Sequence, residues 1–166
     1  MCLKRDLGIV FSHSQLGVPI AWMVTSNETT ENIAFFVNWV RDANPEVRPA
    51  VIMTDCDQAQ IKALEMVYPQ SQIFLCHWHV LRAIRSHFVT TEFESLWQQI
   101  KALVITDNQA TFDKLWHEIC TDPSVPKSVV KYLNDGWMKR SHMWSKVFRK
   151  DRSIFEEGDT NMLIEA

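Results

Sequence analysis

The sequence predicts an α/β chain: a mixed sheet with helices packed on it, followed by an all-α stretch. Two observations carry that expectation. In the first half, short β-compatible apolar runs alternate with segments of helical periodicity, the order that parallel crossovers produce. From Thr90 to about Lys150 only helical periodicity remains. A third observation places the chemistry. Asp55 closes one apolar run, and Cys76-His-Trp-His79, with its C-x-x-H spacing, closes the next.

Taken in order, Leu7 to Ser12 and Pro19 to Thr25 are apolar runs suited to strands, and the Gly and Pro of the segment between them make a hairpin the natural reading. Ser26-Asn-Glu-Thr-Thr30 then offers helix caps, and Ile33, Phe36, Val37 and Val40 mark one helix face that Asn44-Pro45 ends. Ala50 to Thr54 is a continuous apolar run stopping at Asp55, as a strand buried on both faces does. Gln58 to Val67 fits a helix stopped by Pro69, with Ile61, Leu64 and Val67 inward. Gln72 to Leu75 is the next strand, and Trp78 to Phe88 the next helix.

Strand, helix, strand, helix implies a right-handed parallel crossover beside the hairpin in one mixed sheet. The chemistry of such sheets lies beyond the carboxyl ends of the parallel strands, where Asp55 and the Cys76/His79 pair both fall. In the all-α stretch, Phe93, Leu96, Trp97, Ile100 and Val104 lie on one helix face, Phe112, Leu115, Trp116 and Ile119 on a second, and Val129, Val130, Leu133 and Trp137 on a third. Past it, Thr160 or Asn161 is placed to cap a further helix carrying Glu165 in its first turn.

At 166 residues and 46% hydrophobic, the chain is sized for one core of ordinary dimensions. No run approaches the roughly 18 apolar residues of a membrane span, so a soluble, intracellular chain is expected. The four cysteines, Cys2, Cys56, Cys76 and Cys120, are scattered in a way that suits a reduced compartment better than a disulfide framework. A net charge of −3 excludes a uniformly basic nucleic-acid-binding surface. A local one is still legible. Lys139, Arg140, Lys146, Arg149, Lys150 and Arg152 are interleaved with Trp144 and Phe148 and opposed in that stretch only by Asp151. Such a segment is suited either to follow a phosphate backbone or to form a solvated helix face.

The residues resemble the Mutator-like (MULE) transposases, a branch of the ribonuclease-H-like DDE recombinases. Five blocks carry the resemblance: Gly17-Val-Pro-Ile-Ala-Trp22 with Glu28 after it, Met53-Thr-Asp55, Ile61 through Pro69, Leu75-Cys-His-Trp-His-Val80, and Asp159-Thr-Asn-Met-Leu-Ile-Glu165. The resemblance implies a ribonuclease-H-like mixed sheet over residues 1–89, a helical insertion over 90–152, and the start of the C-terminal part of the sheet domain over 153–166. It also implies Asp55 as the second catalytic acid and Glu165 as the last, both metal ligands, with Cys76 and His79 as the family's C-x-x-H. Mg²⁺ or Mn²⁺ is the implied cofactor, because in-line displacement at a phosphodiester uses two divalent cations about 3.5–4 Å apart held by hard oxygens. Double-stranded DNA is the implied partner, the nucleus the implied location, and a multimer the implied working form.

The first acid of the family departs from the pattern. Asp6 is the one acid preceding Gly17, and it matches the family's second strand, so the sequence is expected to be truncated at both ends and to have little or no catalysis. A non-catalytic DNA-binding regulator derived from such a transposase is the alternative expectation. The residues themselves leave blander readings open. Asp55 is also suited to cap a helix, with Asp57 the better placed of the two. Cys76 and His79 suit a small buried hydrophobe and a helix-surface residue. A zinc site would need His117 and Cys120 to join them. Trp22, Trp39, Trp97, Trp116 and Trp137 are expected in the core.

Overall fold

The computed structural model describes residues 6–12, 17–88 and 92–149. These form two compact units, one ending at Phe74 and the other beginning at Leu75.

The first unit opens with strands β1 (Asp6–Ser12) and β2 (Gly17–Val24), paired antiparallel. The register runs from Asp6 opposite Val24 to Ser12 opposite Gly17, with a bulge between Ile9 and Val10 that leaves Ile20 as the extra residue on β2. Because strand side chains alternate, Ala21 and Met23 point to one face and meet Phe36 and Val40 of helix α1 (Thr30–Ala43). Thr29 caps α1, its hydroxyl accepting from the Asn32 N–H at 3.3 Å. Ile33, Ala34 and Val37 of α1 pack on Ala63 and Val67 of helix α2 (Gln58–Val67); of the three α2 positions expected inward, Ile61 and Val67 are buried and Leu64 is partly buried.

α2 is the crossover between strands β3 (Val51–Thr54) and β4 (Gln72–Leu75), which pair with each other. The Gln72 N–H donates to the Ala50 carbonyl at 2.9 Å, so the two strands start side by side and run parallel. The strands form two ladders, β1–β2 and β3–β4, where the sequence predicts one mixed sheet. Among the described residues no strand bridges them.

From Leu75 on, every described element is helical: α3 (His77–Arg85), α4 (Glu94–Ile105), α5 (Gln109–Thr121), α6 (Lys127–Gly136) and the short α7 (Ser141–Trp144), with 3₁₀ turns at Met138–Arg140 and Lys146–Phe148. Leu96, Ile100 and Val104 of α4, Phe112 and Ile119 of α5, and Leu133 of α6 are buried. These are among the positions that the apolar periodicity selects; Phe93, Trp97, Leu115, Trp116, Val129 and Val130, which it also selects, are half-buried. Trp137 is in the core as expected, whereas Trp22 and Trp39 are 64% and 59% exposed. Trp22 lies on the face of β2 away from α1, and Trp39 follows Phe35 by one helical turn on the flank of α1, outside the stripe that meets β2 and α2. Among the described residues no helix is long and apolar enough to cross a membrane. Cys56, Cys76 and Cys120 are not joined in disulfides.

Candidate functional site

Asp55 follows directly on Thr54, the last residue of β3, and is half-buried. One of its oxygens, Oδ1, accepts from the Asp57 N–H at 3.1 Å, a turn in which an aspartate bonds the backbone two residues on. Capping of α2 falls to Asp57, whose Oδ1 accepts from the N–H groups of Ala59 at 2.8 Å and Gln60 at 2.9 Å. The two acids of Asp-Cys-Asp are thus separated in role, and Asp55 is not consumed by the helix. Next to it, the buried Thr54 hydroxyl donates to Gln60 Oε1 at 2.8 Å, which ties the end of the strand to the first turn of the helix. The spacing of a capping acid two residues after Asp55 is legible in the sequence; the Thr54–Gln60 bond is not.

Cys76 follows β4 and occupies the position before the first turn of α3. Its thiol is fully buried and makes no cap hydrogen bond. His79 is half-buried, its ring edge-on to Trp78 with centroids 4.7 Å apart. His77, between the two, goes unnoticed in the sequence. It is buried, and its Nε2 lies 2.6 Å from the Trp144 carbonyl oxygen. A carbonyl has no proton to give, so Nε2–H is the donor.

Among the described residues no group of three or more His, Cys, Asp or Glu stands together as a metal-binding set. Cys76, His79, His117 and Cys120 therefore do not form the four-ligand cluster that their spacing allows for zinc. Asp55 offers a hard oxygen and fits a divalent cation as a single ligand, since among the described residues Oδ2 has no hydrogen-bond partner. Glu165 lies outside the described residues.

The basic segment is broken into short turns and is not one helix face. Lys139 pairs with Asp135 at 3.2 Å, and the Arg140 guanidinium lies over the Trp137 ring at 5.1 Å while its Nε donates to the Gly136 carbonyl. Lys146 is half-buried. Arg149 departs most from the sequence expectation of a phosphate contact. It is 1% exposed, and its Nη2 donates to the carbonyls of Leu75 and Met143. The physical reason is the Lys146–Phe148 turn, capped by the Ser145 hydroxyl, which rotates Arg149 inward. Trp144 packs inward with it and Phe148 is 41% exposed. Lys150 and Arg152 lie outside the described residues.

Residues 7–83 match the family model of the MULE transposase domain. The matched stretch contains both strand pairs, Asp55 and the C-x-x-H, and it supports a Mutator-like transposase. No curated protein matches the chain.

Proposed function

From the premise that residues 7–83 are MULE transposase domain sequence, we propose that this chain provides part of the catalytic domain of a Mutator-like DNA transposase, with a ribonuclease-H-like strand arrangement and Asp55 as a metal-binding acid. The observation that carries the reading is the state of Asp55. It is a half-buried carboxylate at the carboxyl end of a parallel strand within the matched residues, spared from helix capping by Asp57.

Bound Mg²⁺ or Mn²⁺ would polarise the phosphodiester and stabilise the attacking and leaving oxygens. Asp55 would hold such an ion through Oδ2, while the Asp57 N–H on Oδ1 fixes the plane of the carboxylate. The Thr54–Gln60 bond stiffens the same turn. Glu165 is the second proposed acid.

Duplex DNA is the proposed partner, in the nucleus, and a multimer the proposed working form, since joining two element ends requires that they be held together. The basic segment without Arg149, that is Lys139, Arg140 and Lys146 together with Lys150 and Arg152 of the sequence, is the proposed DNA contact. Replacing Lys146, Lys150 and Arg152 with Gln together should weaken binding to duplexes of any sequence and flatten its salt dependence, because a phosphate that no cation neutralises keeps its counterion. Unchanged affinity and slope would remove the segment from the interface.

Titration with Mn²⁺ tests the acid pair. Paramagnetic broadening should reach the amides of Asp55 and Glu165 together, and Asp55→Asn should abolish both. Broadening at Asp55 alone would end the assignment of Glu165. DNA binding with no broadening at either acid is the result expected of a non-catalytic, transposase-derived DNA-binding protein.

A further inference from the structure

Two hydrogen bonds close on the peptide that leads from β4 into α3. Arg149 Nη2 reaches the carbonyl of Leu75, the last residue of β4, across 74 positions of sequence, and His77 Nε2–H reaches the Trp144 carbonyl across 67. The same Nη2 also bonds the Met143 carbonyl at 3.2 Å. Cys76 lies between the two tied residues and is sealed from solvent.

The residue types matter. A buried guanidinium costs several kcal/mol to desolvate unless its N–H groups are engaged, and an apolar side chain would fill the same space at no such cost. What the arginine adds is a rigid planar donor that reaches two carbonyls at once. The receiving end is rigid too. Trp144 is 1% exposed, and its indole N–H donates to the Trp137 carbonyl at 2.9 Å, so the carbonyl that His77 meets is anchored to the core.

We propose that Arg149 and His77 form a clasp that positions the Cys76/His79 pair at the entrance to α3, making Arg149 a positioning residue and not a DNA contact. What the pair is used for rests on the transposase reading; the clasp itself does not, and its test reads a thiol, so the two can fail separately. Loss of the Arg149 bonds frees the Leu75–Cys76 peptide to open locally, which exposes the Cys76 thiol without unfolding the helices.

The experiment is alkylation of the full chain by iodoacetamide under native conditions, with rates read cysteine by cysteine by mass spectrometry. Cys120, which is exposed, serves as the internal reference. Arg149→Met should raise the Cys76 rate by roughly tenfold or more, the factor expected for losing a buried hydrogen bond from a charged donor, and leave the Cys120 rate unchanged. Leu133→Ala, which truncates a buried side chain of α6, controls for general loss of stability and should leave Cys76 slow at a comparable drop in melting temperature. Arg149→Lys keeps the charge and reaches one carbonyl, so an intermediate rate is expected; it also carries the test if the Met variant does not fold. A Cys76 rate in the Arg149 variants no higher than in Leu133→Ala would overturn the clasp. So would a Lys variant indistinguishable from the parent chain.

Discussion

Of the eight large apolar side chains exposed among the described residues, Ile20, Trp22, Val24, Phe35, Trp39 and Met66 belong to the unit ending at Phe74, and Ile105 and Phe148 to the unit beginning at Leu75. In the first unit, β2 packs one face on α1 and turns Ile20, Trp22 and Val24 outward. An antiparallel ladder that meets water on one face ordinarily presents polar residues there. The second unit differs in kind. Its helices close on Ile100, Val104, Ile119 and Trp144, and polar side chains such as Arg149 are folded into that closure. The unit that bears the candidate acid is thus the less self-sufficient of the two. The helical unit owes its cohesion to a mainly aliphatic core into which Phe112, Trp137 and Trp144 are set.

The sharpest way to break that contrast is to truncate one tryptophan from each unit. Trp144 is 1% exposed, donates its indole N–H to Trp137, and meets the Phe112 ring with centroids 6.0 Å apart. Trp144→Ala should cost about 3–5 kcal/mol in denaturant unfolding followed by far-UV circular dichroism. Trp22→Ala, on an open strand face, should stay within about 0.5 kcal/mol. Equal losses would mean that the outward face of β2 is covered in solution, and the contrast between the units would have to be withdrawn.

What is legible in the sequence follows the same division. Periodicity locates the helices because burial of an amphipathic stripe is a local property: α2 spans Gln58–Val67 as its pattern requires, and Asn44 ends α1. The parallel pairing of β3 with β4 is legible from the strand–helix–strand order. The separation of the strands into two ladders is not, since ladder partners are set by distant backbone that periodicity does not encode. At the site, Asp55 stands out as an acid ending an apolar run, and Asp57 does so because caps have a fixed offset. Arg149 is misread for a physical reason. A cation among cations reads as surface, and only the turn after Ser145, whose effect depends on where Leu75 lies in space, sends it inward. The same long-range contact hides His77, whose neighbours Cys76 and His79 carry the recognisable spacing.

The next contrast is within Asp-Cys-Asp. Asp57→Ala removes the acceptor for two N–H groups of the first turn of α2 and should cost about 1 kcal/mol. Asp55→Asn keeps an oxygen able to accept from the Asp57 N–H, so it should cost less than half of that while removing the negative charge that a cation needs. Thermal melts of the two variants, beside the Mn²⁺ titration, separate the capping acid from the proposed metal ligand. If Asp55→Asn proved the more destabilising of the two, Asp55 would be a structural turn residue and its reading as a metal ligand would lose its main support.

The smallest effect lies in the helical unit and bears on how much of the basic segment is available to DNA. Lys131 Nζ lies 2.6 Å from one oxygen of Asp135, and Lys139 Nζ lies 3.2 Å from the other. The hydrogen bond from Lys131, then that from Lys139, hold the Asp135 carboxyl down to about 2 from its ordinary 3.8. A carboxylate whose pKa is lower folded than unfolded stabilises the fold above the unfolded value, and that contribution fades as pH falls from 3.8 toward 2. Because Asp135 lies at the solvent-exposed surface, the contribution is small and screened by salt. Asp135→Asn should therefore leave neutral stability almost unchanged and flatten the acid limb of the stability curve slightly, at low ionic strength only. It should also release Lys139 from its partner. On the proposed interface, the variant then binds duplex DNA somewhat more tightly and with a steeper salt dependence. Carbon-detected NMR of the Asp135 carboxyl reads the pairing, and a salt series of DNA affinities reads the release of Lys139. A carboxyl that titrates near 3.8 removes the double pairing; an unchanged salt slope places Lys139 away from the DNA.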